Sequence, residues 1–124
     1  MSYTVNYKNN GFFLTHKGLV TISELHEANG CIHGHKNFDS QAYQIINLLD
    51  ADFSKISEKK SIEPALTDLS ASKTRPNVKV ALIAKEINSI NFCKGYIFES
   101  QKHDSKWEFK IFSDLQSALE WCDT

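Results

Sequence analysis

Glycine is sparse in this chain and never clustered. The five glycines, Gly11, Gly18, Gly30, Gly34 and Gly95, are scattered, so a glycine-rich phosphate loop of the Walker or Rossmann kind is excluded. Cysteine is equally thin: Cys31, Cys93 and Cys122 are odd in number and far apart. That is no secreted disulfide framework, and it fits reduced thiols in a cytoplasm. The longest purely apolar run inside the chain, Val80 to Ala84, falls far short of a membrane span. The opening "MSYTVNYKNNGFF" lacks a basic stretch followed by an apolar one, so no signal peptide is expected and the protein reads as cytoplasmic. Neither sign of charge dominates: 14 basic and 15 acidic side chains leave a formal net charge of −1. That balance offers no general attraction to phosphate backbones or anionic lipid, and a nucleic-acid partner is not expected.

What is present suits a globular domain. Hydrophobic residues make up 41% of the 124, and the 23% that are charged are interspersed. A single domain over residues 1–124 is expected. It would bury roughly two-thirds of its unfolded surface without a metal or disulfide staple.

Periodicity divides the chain into elements. Tyr3, Val5 and Tyr7 alternate with polar residues, Asn10-Gly11 offers a turn, and "FFLTH" resumes an extended pattern, which together predict a β-hairpin. In "GLVTISELHEANGCI", Thr21 and Glu24 have capping-box spacing, Val20 and Leu25 fall where a hydrophobic staple sits, and Gly30 is expected to end the helix. "AYQIINLL" and "VKVALIA" read as central strands buried on both faces. Between them Ser61 can cap a helix with Pro64 in its first turn and Ile62, Ala65, Leu66 and Leu69 along one stripe. Ile90, Cys93 and Ile97 share a face of the next helix, with Asn88 as cap. "KWEFKIF" alternates as a strand, and Ser113 with Gln116 forms a second capping box before Leu115, Ala118, Leu119 and Cys122. The order is ββαβαβαβα, an α/β fold with a mixed, mostly parallel sheet and helices packed on it.

The densest cluster of chemistry is "CIHGH". Cys31, His33 and His35 converge as metal ligands only if the segment is extended, and a fourth ligand would have to come from elsewhere. On a helix they diverge, and the histidines end a helix in water. Cys93 beside Lys94 raises the alternative of a reactive thiol, against which stands its place on an apolar helix face. "LLDADFSKIS" follows the first buried strand. There Asp50, Asp52, Ser54 and Ser57 fall at a strand's carboxyl end, where open α/β sheets gather ligands, although such residues also serve as ordinary loop caps. Ser61 and Lys85 complete the expected binding edge.

Taken in order, "GLVTISEL", "HKNFDSQAYQIINLLDAD", "NVKVALIA", "INFCKGYIFES" and "FKIFSDLQSALEW" resemble the small STAS-like, or SpoIIAA-like, bacterial proteins of unknown function. The resemblance runs from about Tyr3 to Trp121 and implies a mixed sheet with helices packed on it. In the anti-sigma-factor antagonists that name the fold, a serine after a buried strand is phosphorylated and switches partner binding. Ser57 and Ser61 are the nearest positional matches here, and the Asp-Ser-Ser-Gly run of those proteins is absent. The expected function is non-enzymatic binding of a protein partner or small ligand, with no cofactor; the alternative is a small thiol-dependent enzyme or redox protein using Cys93. A weak homodimer is expected from the aromatic hairpin of Tyr3, Tyr7, Phe12 and Phe13, which carries more large side chains than one sheet face can bury.

Overall fold

The hairpin turns on two asparagines. In this computed structural model, which describes residues 3–57 and 62–124, Asn9 and Asn10 both adopt positive φ, 53° and 65°. This two-residue turn matches the right-handed twist of its strands. Strand β1 (Tyr3–Lys8) therefore pairs antiparallel with β2 (Gly11–Leu19), Lys8 opposite Gly11. The positive-φ positions lie one residue earlier than the expected Asn10-Gly11. Gly11 is needed for another reason: a Cβ there would lie 2.2 Å from the ring of Tyr43.

Among the described residues four helices and three more strands follow: α1 (Ile22–His33), β3 (Tyr43–Asp52), α2 (Ile62–Thr74), β4 (Lys79–Ile83), α3 (Ile87–Lys102), β5 (Glu108–Phe112) and α4 (Leu115–Cys122). A short 3-10 turn at Phe38–Ser40 joins α1 to β3. The five strands form one sheet in the order β1-β2-β3-β4-β5, and every pairing after the first is parallel. The ββαβαβαβα order and the mixed α/β sheet are as the periodicity predicts.

The sheet has two unequal covers. On one face Phe12, Leu14, Leu48, Val80 and Leu82 pack against α1, α2 and α3; on the other, α4 is the one described helix that Ile45, Ala81 and Ile83 meet. Tyr3, Tyr7 and Phe12 lie against Ala28 and Ile32 of α1, and Phe13 meets Tyr43 edge-on across the sheet's second face. Of the four aromatics behind the homodimer expectation, Phe12 is buried and Tyr3, Tyr7 and Phe13 are half-buried. None of the described helices is long and apolar enough to cross a membrane.

Several local expectations shift. α1 runs past Gly30 to His33, with Gly34 at its end. Glycine inside a helix is tolerated at modest cost, and Ile32 gains a fully buried place in return. Leu66 is 44% exposed, because the inward face of α2 carries Ala65, Asp68 and Ser72 instead. Helix α3 is capped by Glu86, whose Oε2 accepts from the backbone N–H of Asn88 and Ser89, not by Asn88. Asp114, not Ser113, caps α4, accepting from Ser117 N–H at 2.7 Å, while Gln116 donates to Glu120. Ser61, the expected cap of α2, lies outside the described residues.

The α4 cap separates two neighbours cleanly. Asp114→Ala should lower the urea midpoint of unfolding, whereas Ser113→Ala, whose residue lies outside the cap, should leave it within experimental scatter.

Candidate functional site

Glu24 has a capping-box position but does another job. Thr21 Oγ1 accepts from Glu24 N–H at 3.2 Å, which is half of the box. The Glu24 carboxyl turns inward instead and meets His16 Nδ1 at 2.6 Å. His16 is 1% exposed and Glu24 2%. Local sequence explains the approach: residues 12, 14 and 16 of β2 share the inward face, and the β2–β3 register breaks between Thr15 and Lys17, placing His16 at the irregularity. A buried ionisable pair is stable only when each member answers the other.

A second chain of polar groups lies across the same interior. His33 Nε2, at the end of α1, is 2.9 Å from Asp68 Oδ1 on α2. Tyr96 on α3 donates its hydroxyl to Asp68 Oδ2 in a short hydrogen bond. Burial, then the charge and hydrogen bond of Asp68, push the Tyr96 phenol well above its ordinary value, so it remains a donor. The three helices over the sheet are thereby tied in series: α1 to β2 through Glu24, α1 to α2 through His33, α2 to α3 through Asp68.

Between these ties lies a cavity of about 50 Å³. Its walls are mainly apolar, among them Leu14, Ile46, Leu48, Phe53 and Phe92. His16, Asn29, Asp68, Cys93 and Tyr96 also line it. Leu25 and Asn29 of α1, both partly exposed, and Pro64 and Asp68 of α2 line its α1–α2 side. An apolar pocket with a few convergent polar groups is the common form of a small-molecule site.

The residues expected at the strand ends behave differently. Asp52 Oδ1 accepts from Ser54 N–H at 2.8 Å, and the hydroxyl and N–H of Ser54 hold its carboxyl below the ordinary value. Asp50 is exposed opposite Lys17, and Ser54 and Ser57 are exposed in the following loop. Lys85 stands apart from them, close enough to Asp114 to lower its carboxyl further. The reason is strand length: β4 ends at Ile83 opposite Asn47, while β2 and β3 continue together to Leu19 and Asp52. The expected edge is therefore split into a projecting β2–β3 ribbon and a separate β4–α4 corner.

The Cys/His cluster is dispersed as well. Because α1 stays helical, Cys31 points to Tyr3, with Sγ 3.6 Å from its hydroxyl, and His33 to Asp68. His35 stacks against Tyr7 and Phe12 and accepts from Asn37 N–H. Among the described residues no group of three or more His, Cys, Asp or Glu side chains is arranged to hold a metal ion. Cys93 is 1% exposed, and burial pushes its thiol up to about 12. In this conformation it is a thiol at neutral pH, not the thiolate that nucleophilic chemistry needs.

Periodicity alone does not reveal this site. Asp68 interrupts the apolar stripe of α2, and Glu24 satisfies a capping pattern before it satisfies anything else. The available signal is phase: His16 follows Phe12 and Leu14 at strand spacing, and Tyr96 follows Phe92 at helical spacing. Comparison with known protein families finds no family model that matches the chain, and comparison with characterised proteins finds no match.

The buried pair has a measurable signature. His16→Ala or Glu24→Ala alone should cost about 3–5 kcal/mol in urea unfolding, while the joint change His16→Leu/Glu24→Leu should recover most of that. Cys93 gives a pH signature. Its folded value, about 12, lies above the 9.0 of a free thiol. Its contribution is thus intact below pH 9.0 and is lost as pH rises toward about 12. Cys93→Ala should flatten the alkaline fall in stability, and a thiol reagent at neutral pH should label exposed Cys31 while sparing Cys93.

Proposed function

We propose that this chain is a STAS-like, non-enzymatic binding module of the cytoplasm, holding a small ligand in the cavity beneath α1. The observation that carries the reading is His16: almost wholly buried, anchored through Nδ1 to Glu24, and standing in the wall of an apolar cavity. The STAS-like assignment is supported by the strand order β1-β2-β3-β4-β5 with one antiparallel pair, together with the ordered sequence segments that resemble that family. Against an enzymatic role stand the occupied partners of the chemically capable groups. Asp68 is engaged by both His33 and Tyr96, Tyr96 keeps its proton, and Cys93 remains a thiol.

The ligand can be linked to a partner surface. The β2–β3 ribbon begins at the register break beside His16 and projects beyond β4, carrying exposed Leu19 and Leu49 beside Asp50 and Asp52. Apolar side chains rimmed by charge favour a protein partner there as the second reading, with cavity occupancy acting on the base of the ribbon. Ser54 and Ser57 lie in the loop that follows it.

Methyl NMR tests the primary reading. A library of small neutral fragments should shift the methyl signals of Leu14, Ile46 and Leu48, with binders competing for one site. Cys93→Phe, which fills the cavity, should abolish those shifts while far-ultraviolet circular dichroism stays native. Shifts confined to surface methyls, or unchanged in Cys93→Phe, would place binding elsewhere. For the ribbon, Leu19→Lys/Leu49→Lys should lose any protein partner recovered from native lysate, with the melting temperature nearly unchanged.

A further inference from the structure

The sheet ends in β1 on one side and β5 on the other, and the two edges are not alike. Each pairs with one described strand, so each turns a row of backbone donors and acceptors outward. β5 sets exposed Glu108 and Lys110 between its apolar residues, and self-pairing along its whole length would place Lys110 opposite itself. β1 has no charge before Lys8, no proline, and an unbroken register against β2. It is the less protected edge.

The turn settles which backbone groups β1 has to offer. Positive φ at both Asn9 and Asn10 makes a type I′ turn, whose flanking residues, Lys8 and Gly11, form a hydrogen-bonded pair. Such pairs alternate with non-hydrogen-bonded ones along an antiparallel ladder. Asn6–Phe13 and Thr4–Thr15 are thus of the first kind, and Tyr7–Phe12, Val5–Leu14 and Tyr3–His16 of the second. In the second kind the N–H and C=O of the β1 residue point away from β2. Tyr3, Val5 and Tyr7 therefore face the open edge, and none of the turn and loop backbone bonds among the described residues takes up their groups.

A second copy of the same strand answers all of them in one register. With a two-fold axis through Val5, that residue lies opposite its own copy and Tyr3 lies opposite Tyr7, and each such pair exchanges both N–H···O bonds. The side chains agree. On the α1 face half-buried Tyr3 and Val5 meet Tyr7 and Val5 of the second copy; on the other face exposed Thr4 meets Asn6. Charge agrees too. Tyr3 donates to Glu27 at 2.8 Å and His35 stacks on Tyr7, so Glu27 of each copy is set toward the His35–Lys36 corner of the other. A net charge of −1 adds little repulsion between copies.

We propose that β1 is a self-association surface, through which two copies join their sheets edge to edge with their α1 helices side by side on one face. The dimer is carried by the backbone of one short strand, so the contact is small and the association weak and reversible.

Sedimentation equilibrium over a concentration series measures the dissociation constant, and amide exchange by NMR locates the contact. Exchange at Tyr3, Val5 and Tyr7 should slow as dimer forms, while exchange along β5 stays unchanged. Thr4→Lys/Asn6→Lys, at two exposed positions, sets like charges opposite one another and should raise the dissociation constant about tenfold. Thr4→Glu/Asn6→Lys sets opposite charges there and should associate at least as tightly as the unaltered chain. Native far-ultraviolet circular dichroism in both variants separates these effects from misfolding. A monomer at every concentration overturns the proposal and leaves the edge to an extended segment of another protein. A dimer that responds alike to the two variants, or that leaves exchange at Val5 unchanged, overturns it by placing the contact elsewhere.

Discussion

A carboxyl group and an imidazole that both leave water must neutralise one another, and the His16–Glu24 contact at 2.6 Å meets that requirement at the centre of this fold. It joins the register break in β2 to the first turn of α1, so it fixes where the first helix starts and how it lies on the sheet. The apolar packing of Ala28 and Ile32 on β1 and β2 supplies most of the attraction, but it is non-directional. The polar pair supplies the direction. The His33–Asp68–Tyr96 chain extends the same logic across α2 and α3, and the cavity is the space these ties enclose.

Much of the architecture was legible in the sequence because each element advertises its own buried face. Trp107 leads into β5 and Phe109 and Ile111 continue its alternation, "VKVALIA" is apolar but for Lys79 as a central strand should be, and Thr21 marks a helix start. What periodicity does not encode is the group that a face meets. His33 and Asp68 are separated by 35 residues and Tyr96 and Asp68 by 28, so neither contact leaves a local trace. Glu24 is the instructive case, since its spacing from Thr21 is that of a capping box and the backbone half of the box forms. A neighbouring strand, invisible from within the helix, offers its side chain a buried partner.

The binding edge illustrates the opposite difficulty. Ser54 and Lys85 do follow strand ends, as the sequence indicates, but Asp50 and Asp52 are the last residues of β3 itself, which outruns β4 and carries them away from Lys85. Strand length relative to a neighbour depends on register, which no single strand contains. The result is a ribbon that buries Ala51, with Val20 and Phe53 at its end, in the core and exposes Leu19, Leu49, Asp50 and Asp52.

The claim that the His16–Glu24 pair orients α1 is tested most directly by nuclear Overhauser contacts between α1 and the sheet in His16→Leu/Glu24→Leu. The account predicts that Ala28 and Ile32 lose their single set of contacts with Tyr3, Tyr7 and Phe12 while α1 stays helical. An unchanged set of contacts would contradict it.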